Sequence, residues 1–182
     1  MSIYDLPSQD DMLRAIGRGM QAFSRIEAGI TNCFGGMLGE GAPFHHIILE
    51  AARRYEMKLK IVDSVAPYAL PDDLLLRWQK ISKRCRKRSE VRNKIAHWTV
   101  NYLPMPKSQP SPDDPISKVV LSPPYGSTDW ILLNFPHLGE YDAKPIKINE
   151  IDFWIRSCHE VANDLTDLSI DIRAHRSDKK SP

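Results

Sequence analysis

Apolar residues recur at helical spacing from Gln9 to Met37, where Met12, Ile16, Phe23, Ile26, Ile30, Cys33 and Phe34 share one side of a wheel. That period predicts a first helix with a single buried stripe. Ser8 stands where an N-cap belongs, and Asp10 and Asp11 set negative charge in the first turn, where the helix dipole favours it. The glycines of "GGMLGEG" end the helix. A second helix is expected from Pro43 to Tyr68, with Phe44, Ile48, Ala51, Tyr55, Leu59, Val62 and Ala66 as its stripe and Pro67 as a kink or stop. A third opens at "PDDLLLRW" with Asp72 as cap, buries Leu74, Trp78, Ile81 and Cys85, and runs to Val100 before "NYLPMP" stops it.

The pattern then changes. Nine of the fourteen prolines lie between Pro104 and Pro145, a density that no continuous helix tolerates. Within this stretch "SKVVLS" and "TDWILLNF" read as two strands joined through "PPYGS" into a hairpin. A last helix begins at Asn149, with Asp152 in the capping position, and carries Ile151, Trp154, Ile155, Cys158, Ala162 and Leu165 inward. The layout therefore predicts a mainly α protein: an up-and-down four-helix bundle with a β-hairpin inserted before the last helix. It is expected to be one domain over residues 1–182, with the insertion at 104–148 and a disordered tail at 173–182.

Composition narrows the class without naming a task. With 42% hydrophobic residues the chain can build a core. No run approaches the roughly 18 apolar residues of a membrane span, and "MSIYDLPSQDD" has no signal-peptide character, so the expected setting is the cytoplasm, away from membranes. Cys33, Cys85 and Cys158 are odd in number, widely spaced and within apolar stripes, which makes them small core residues. His46 and Glu50 are four apart, but a third ligand is missing, so no metal and no other cofactor is expected. No phosphate-cradling glycine loop and no Gly-x-Ser-x-Gly elbow occurs, which leaves nucleotide-triphosphate and serine-hydrolase chemistry without support.

Charge is more telling in its distribution than in its net value of +2. Lys80, Lys83, Arg84, Arg86, Lys87, Arg88, Arg92 and Lys94 face only Glu90 among the acids of that stretch. Such a band suits a polyanion, and Lys83, Arg84, Arg86, Lys87, Arg88 and Lys94 are the candidate RNA contacts. Its last turn reads "EVRNKIAHW". Arg92, Ala96, Asn93 and His97 follow one another around the helix and sweep roughly 140°, with a small alanine in the middle. Arg92 also continues the line of Leu74, Trp78, Ile81 and Cys85, where a guanidinium must reach a carboxylate, a phosphate or solvent.

With thirteen arginines and six histidines, a bare Arg-x4-His spacing is common by chance. The whole phrase "RNKIAH", near the end of a basic third helix, resembles the Arg-x4-6-His motif of the HEPN superfamily. The layout resembles that family over residues 9–100 and 149–172; the hairpin insertion is not part of the family's minimal bundle. The resemblance implies a HEPN-like bundle, a homodimer in which the motif helices of two chains meet, and a metal-independent endoribonuclease of toxin–antitoxin or other defence systems. It also admits a non-catalytic dimeric module that binds RNA or a protein partner, such as an antitoxin.

These residue types suffice for RNA cleavage without a metal. Histidine is suited to taking the 2′-hydroxyl proton near neutral pH, and arginine can hold phosphate oxygens bidentately as charge builds on them. Arg92, His97 and Asn93 are thus the candidate catalytic group, with Asn93 orienting the imidazole or the phosphate. Glu27 lies at the edge of the first stripe and is a candidate to support Arg92 or to pair with Lys58, which falls in the second helix's apolar arc. Tyr125, Asp129 and Trp130 of the insertion are candidates for base contact.

Overall fold

Ser8 starts the fold as its position predicts. In a computed structural model, which describes residues 8–39, 44–104, 117–122 and 146–178, its hydroxyl accepts from the Asp11 N–H at 3.1 Å. The Asp11 carboxylate accepts in return from the Ser8 N–H at 2.9 Å. Those hydrogen bonds hold the Asp11 carboxyl below its ordinary range. Helix α1 then runs Gln9–Leu38, followed by α2 (His45–Ala51), α3 (Tyr55–Ala69), α4 (Asp72–His97), β1 (Thr99–Pro104), β2 (Ser117–Ser122) and α5 (Ile148–Asp178). The described chain is mainly helical.

Several boundaries depart from the sequence reading. The expected second helix is two, because Ala52 to Arg54 leaves the helical path between α2 and α3. Leu49 and Ala52 are buried while Phe44, Ile47 and Ile48, expected in or adjacent to the stripe, are exposed. Pro67 does not end α3 at its own position; the helix continues to Ala69. Pro71, not Asp72, holds the cap position of α4, its carbonyl accepting from the Leu75 N–H at 2.8 Å. The same helix stops at His97, since β-branched Thr99 and Val100 enter a strand. At α5 the capping carboxylate is Glu150, which accepts the Lys147 N–H at 2.8 Å. Asp152 instead pairs with Arg18 at 3.2 Å. The helix continues to Asp178, so the tail expected from 173 onward is mostly helical, and 179–182 lie outside the described residues.

"SKVVLS" is a strand, and among the described residues its partner is β1. It pairs antiparallel with β1, from Thr99 opposite Ser122 to Pro104 opposite Ser117. The "TDWILLNF" segment, with Trp130, lies outside the described residues.

The chain divides into two compact units. One comprises residues 1–20 and 92–154. Its buried side chains include Met12, Ile95, Leu121, Ile151 and Trp154. Leu121 and Ile146 exchange backbone hydrogen bonds at 3.0 and 2.9 Å, which fixes the β ribbon to the start of α5.

The other unit, residues 21–91 and 155–182, is a helical bundle. Phe23, Ile26, Ile30, Cys33 and Phe34 of α1 are buried, as are Leu59 and Val62 of α3, Trp78 and Cys85 of α4, and Cys158, Leu165 and Ile172 of α5. Contacts fix the helix directions. Asp63 bonds Trp78 and Glu56 bonds Arg86, so α3 and α4 are antiparallel. Arg77 with Asp171 and Arg84 with Asp164 make α4 and α5 antiparallel. Phe23 stacks on Tyr55 and Glu27 pairs with Lys58, so α1 and α3 advance in the same direction. The expected up-and-down order therefore fails at the first connection. The chain passes through the separate α2 before α3 begins, so the two long helices are not joined by one short turn.

Close packing of α1 on α5 depends on glycine. A Cβ at Gly29 would lie 2.8 Å from the Leu165 Cβ, and one at Gly36 would lie 3.0 Å from Ile172. Overpacking of this kind costs about 1–3 kcal/mol, against a helix-propensity gain of about 1 kcal/mol from Gly to Ala. Gly29→Ala should therefore destabilise in urea unfolding. Gly17→Ala, with nothing within 4 Å of the added carbon, should instead stabilise by up to about 1 kcal/mol. Equal effects at the two sites would refute the close-packing account.

The three cysteines are free and buried, as their stripes predict. Burial pushes each thiol up to about 12. At pH 8 only roughly one thiol in 10⁴ would be ionised, since reactivity belongs to the thiolate. A disulfide reagent should thus label none of the three in the native protein and all three in denaturant. Fast native labelling of any one would contradict the burial.

Candidate catalytic and nucleic-acid site

Buried Ile95 anchors the end of α4 and leaves Asn93, Lys94, Ala96 and His97 exposed around it. Alternate turning of a 3.6-residue helix produces this: Ile95 points in while the residues on either side point out. The Trp98 N–H still bonds the Lys94 carbonyl at 2.9 Å, which carries the helical path past His97. Lys94 places its ammonium 5.4 Å from the centre of the half-buried Trp98 ring, within cation–π range.

Arg92 is half-buried. Its guanidinium donates to the Asn93 amide oxygen at 3.3 Å, and its Nε is buried without a hydrogen-bond partner among the described residues. No ion pair joins it to a carboxylate among those residues. That contrasts with Arg18, Arg77, Arg84 and Arg86, each of which has one. A partly desolvated guanidinium left without an anion has donors ready for an incoming acceptor, and bidentate oxyanions match its fork. Arg92, Asn93 and His97 thus share one helix end and one unit, with the imidazole exposed and the small Ala96 between.

The basic stretch is less uniform than its sequence. Arg84 is paired with Asp164 and Glu160, and Arg86 with Glu56 and Asp63. The Asp63 bond holds the Arg86 guanidinium above its ordinary value. These two arginines tie α4 to its neighbours. Lys83, Lys87 and Lys94 are exposed, and Arg88 is half-buried. Glu27 pairs with Lys58 at 3.6 Å, the structural one of its two expected roles.

Sequence reasoning missed Asp63. Its carboxylate accepts from Trp78 Nε1 at 2.8 Å, from Ser82 Oγ at 2.9 Å and from Arg86, joining α3 to α4. The signal was present, because Asp63 sits beside Val62 at the edge of the α3 stripe, the test that singled out Glu27. No group of three or more His, Cys, Asp or Glu residues suited to a metal occurs among the described residues; His46 and Glu50 are exposed. Tyr125, Asp129 and Trp130 lie outside those residues. Among the described residues no helix is long and apolar enough to cross a membrane. Compared with known proteins, the chain matches no protein-family model, no curated protein and no solved structure.

Proposed function

We propose that the chain is a metal-independent endoribonuclease of HEPN type, acting in a toxin or defence role, with Arg92, Asn93 and His97 as its site. The observation that carries this reading is Arg92: a half-buried guanidinium with a buried Nε that has no hydrogen-bond partner and no carboxylate among the described residues, five residues before an exposed histidine on the same helix.

In the reaction the His97 imidazole takes the proton of an RNA 2′-hydroxyl. The 2′-oxygen forms a bond to the adjacent phosphorus, and the bond from phosphorus to the 5′-oxygen breaks. Arg92 holds the non-bridging oxygens as negative charge grows on them, which is where a fixed donor lowers the barrier most. Asn93, already bonded to Arg92, orients that guanidinium. The departing 5′-oxygen needs a proton, and a second copy of the chain supplies it from its own motif in a homodimer. The products are a 2′,3′-cyclic phosphate and a 5′-hydroxyl. Lys94 adds charge for the RNA backbone, so binding should weaken as salt rises.

Incubating the purified protein with RNA in excess chelator and mapping the new ends tests this directly. Cleavage leaving cyclic phosphate ends is the expected result. Binding without cleavage would favour the non-catalytic module, and 5′-phosphate products or loss of activity with chelator would exclude the mechanism.

A further inference from the structure

The unit that lacks Arg92 and His97 carries a feature of its own. Between α3 and α4 lies an open cleft of about 280 Å³, with Pro67, Leu75 and Trp78 as apolar lining and Gln79 and Lys83 among its polar lining. Its acid needs no ligand. Asp63 already accepts from Trp78, Ser82 and Arg86, and Arg86 is shared with Glu56. Lys83 is different, being exposed with no ion pair among the described residues, and the same holds for Lys80 and Lys87 nearby on the helix. Tyr68 and Leu76, next in sequence to Pro67 and Leu75, are 93% and 52% exposed. The α3–α4 pair therefore carries an apolar-lined cleft with the exposed Lys83 on its rim, and exposed apolar side chains one residue from two of its lining residues.

Two magnitudes select the occupant. The volume is just under the roughly 300–1,000 Å³ of ordinary small-molecule pockets, so it suits one inserted side chain better than a whole cofactor. Trp78 is only 1% exposed, so it offers no open ring face on which a nucleobase could stack. We propose that this cleft docks an acidic segment of another protein. One bulky apolar side chain of that segment enters against Pro67 and Leu75, and its carboxylates meet Lys83 and Lys87. The proposal does not need Arg92 or His97, but it takes Lys83 and Lys87 away from the residues expected to face RNA.

A random dodecapeptide display library, selected on the immobilised full chain, supplies the probe; recovered peptides are then synthesised and titrated by fluorescence anisotropy. Enrichment of one leucine, methionine or aromatic residue among several acids is expected. Lys83→Glu should weaken those peptides at least about tenfold, as reversal of a contacting charge does. Gln79→Trp, which would fill the cleft from an exposed helix position, should do the same. Arg25→Glu, on an exposed face of α1, should leave the affinity unchanged, with thermal unfolding confirming that all three variants fold. Selected peptides without acids, or insensitivity to both cleft variants, would overturn the proposal. So would a decauridylate that binds the wild type and is lost in Lys83→Glu, since that would assign the surface to RNA.

Discussion

Replacing His97 with alanine should reduce RNA cleavage by about 10²–10⁴-fold, the usual contribution of a positioned acid–base group. Stability should hardly move. His97 is exposed at the end of α4, so its removal strands no buried partner and should change stability by no more than about 0.5 kcal/mol. The gap between those two magnitudes makes the measurement decisive: single-turnover cleavage on one side, urea unfolding on the other. Arg92→Lys gives a companion result. It keeps the charge and loses the planar fork, so a loss of about 10²-fold is expected if the guanidinium grips phosphate oxygens. A His97→Ala protein that folds and cleaves at the wild-type rate would sink the assignment. An Arg92→Lys protein with full activity would sink the bidentate role alone.

The second large effect is on stability. Asp63→Ala should cost about 3–5 kcal/mol, because it strands two donors rather than because it breaks an ion pair. Trp78 and Ser82 are each 1% exposed, so without Asp63 the Nε1–H and Oγ–H lose their acceptor at a largely buried junction; each loss is worth about 1–3 kcal/mol. The Arg86 side chain is 37% exposed and keeps Glu56, so solvent screens much of its share, about 0–1 kcal/mol for such a pair. Asp63→Asn separates the two causes. It keeps an amide oxygen for Trp78 and Ser82 and removes only the charge, so a loss of about 1–2 kcal/mol is expected. An asparagine variant as unstable as the alanine variant would show that the charge dominates and that the hydrogen-bond account is wrong.

The sequence was legible where one physical cause acted alone. The α1 stripe is long and regular, and Ser8 with Asp11 is a local motif needing only four residues; both stand as predicted. It was misleading where local preference and distant packing disagreed. Nothing in "AARRYE" forbids a helix, since alanine and arginine are among its best formers, yet the chain leaves the helical path over Ala52–Arg54. Leu49, Ala52, Leu59, Val62 and Ala66 are all buried, and their spacing would suit one continuous helix as well as two, so the pattern by itself carried no sign of the break. The partner of "SKVVLS" was equally out of reach. Strand pairing is a choice between segments, and Thr99–Pro104 was disguised as the fraying end of a helix.

At the candidate site the division is the same. The order Arg92, Asn93, Ala96, His97 around α4 follows from helical geometry, and so from sequence alone. Which cations are free does not. Arg84 and Arg86 read like Lys83 and Lys87, and only the neighbouring helices, with Asp164 on α5 and Asp63 on α3, engage the arginines and leave the lysines to solvent. Sequence by itself determined a mainly helical chain, its buried stripes and the grouping of an arginine, an asparagine and a histidine at one helix end. Those depend on periods of three to five residues, which the backbone enforces locally. Tertiary structure decided the helix directions, the strand pair, the Asp63 junction and the want of a carboxylate beside Arg92 among the described residues, because each depends on which distant side chain arrives within a few ångströms.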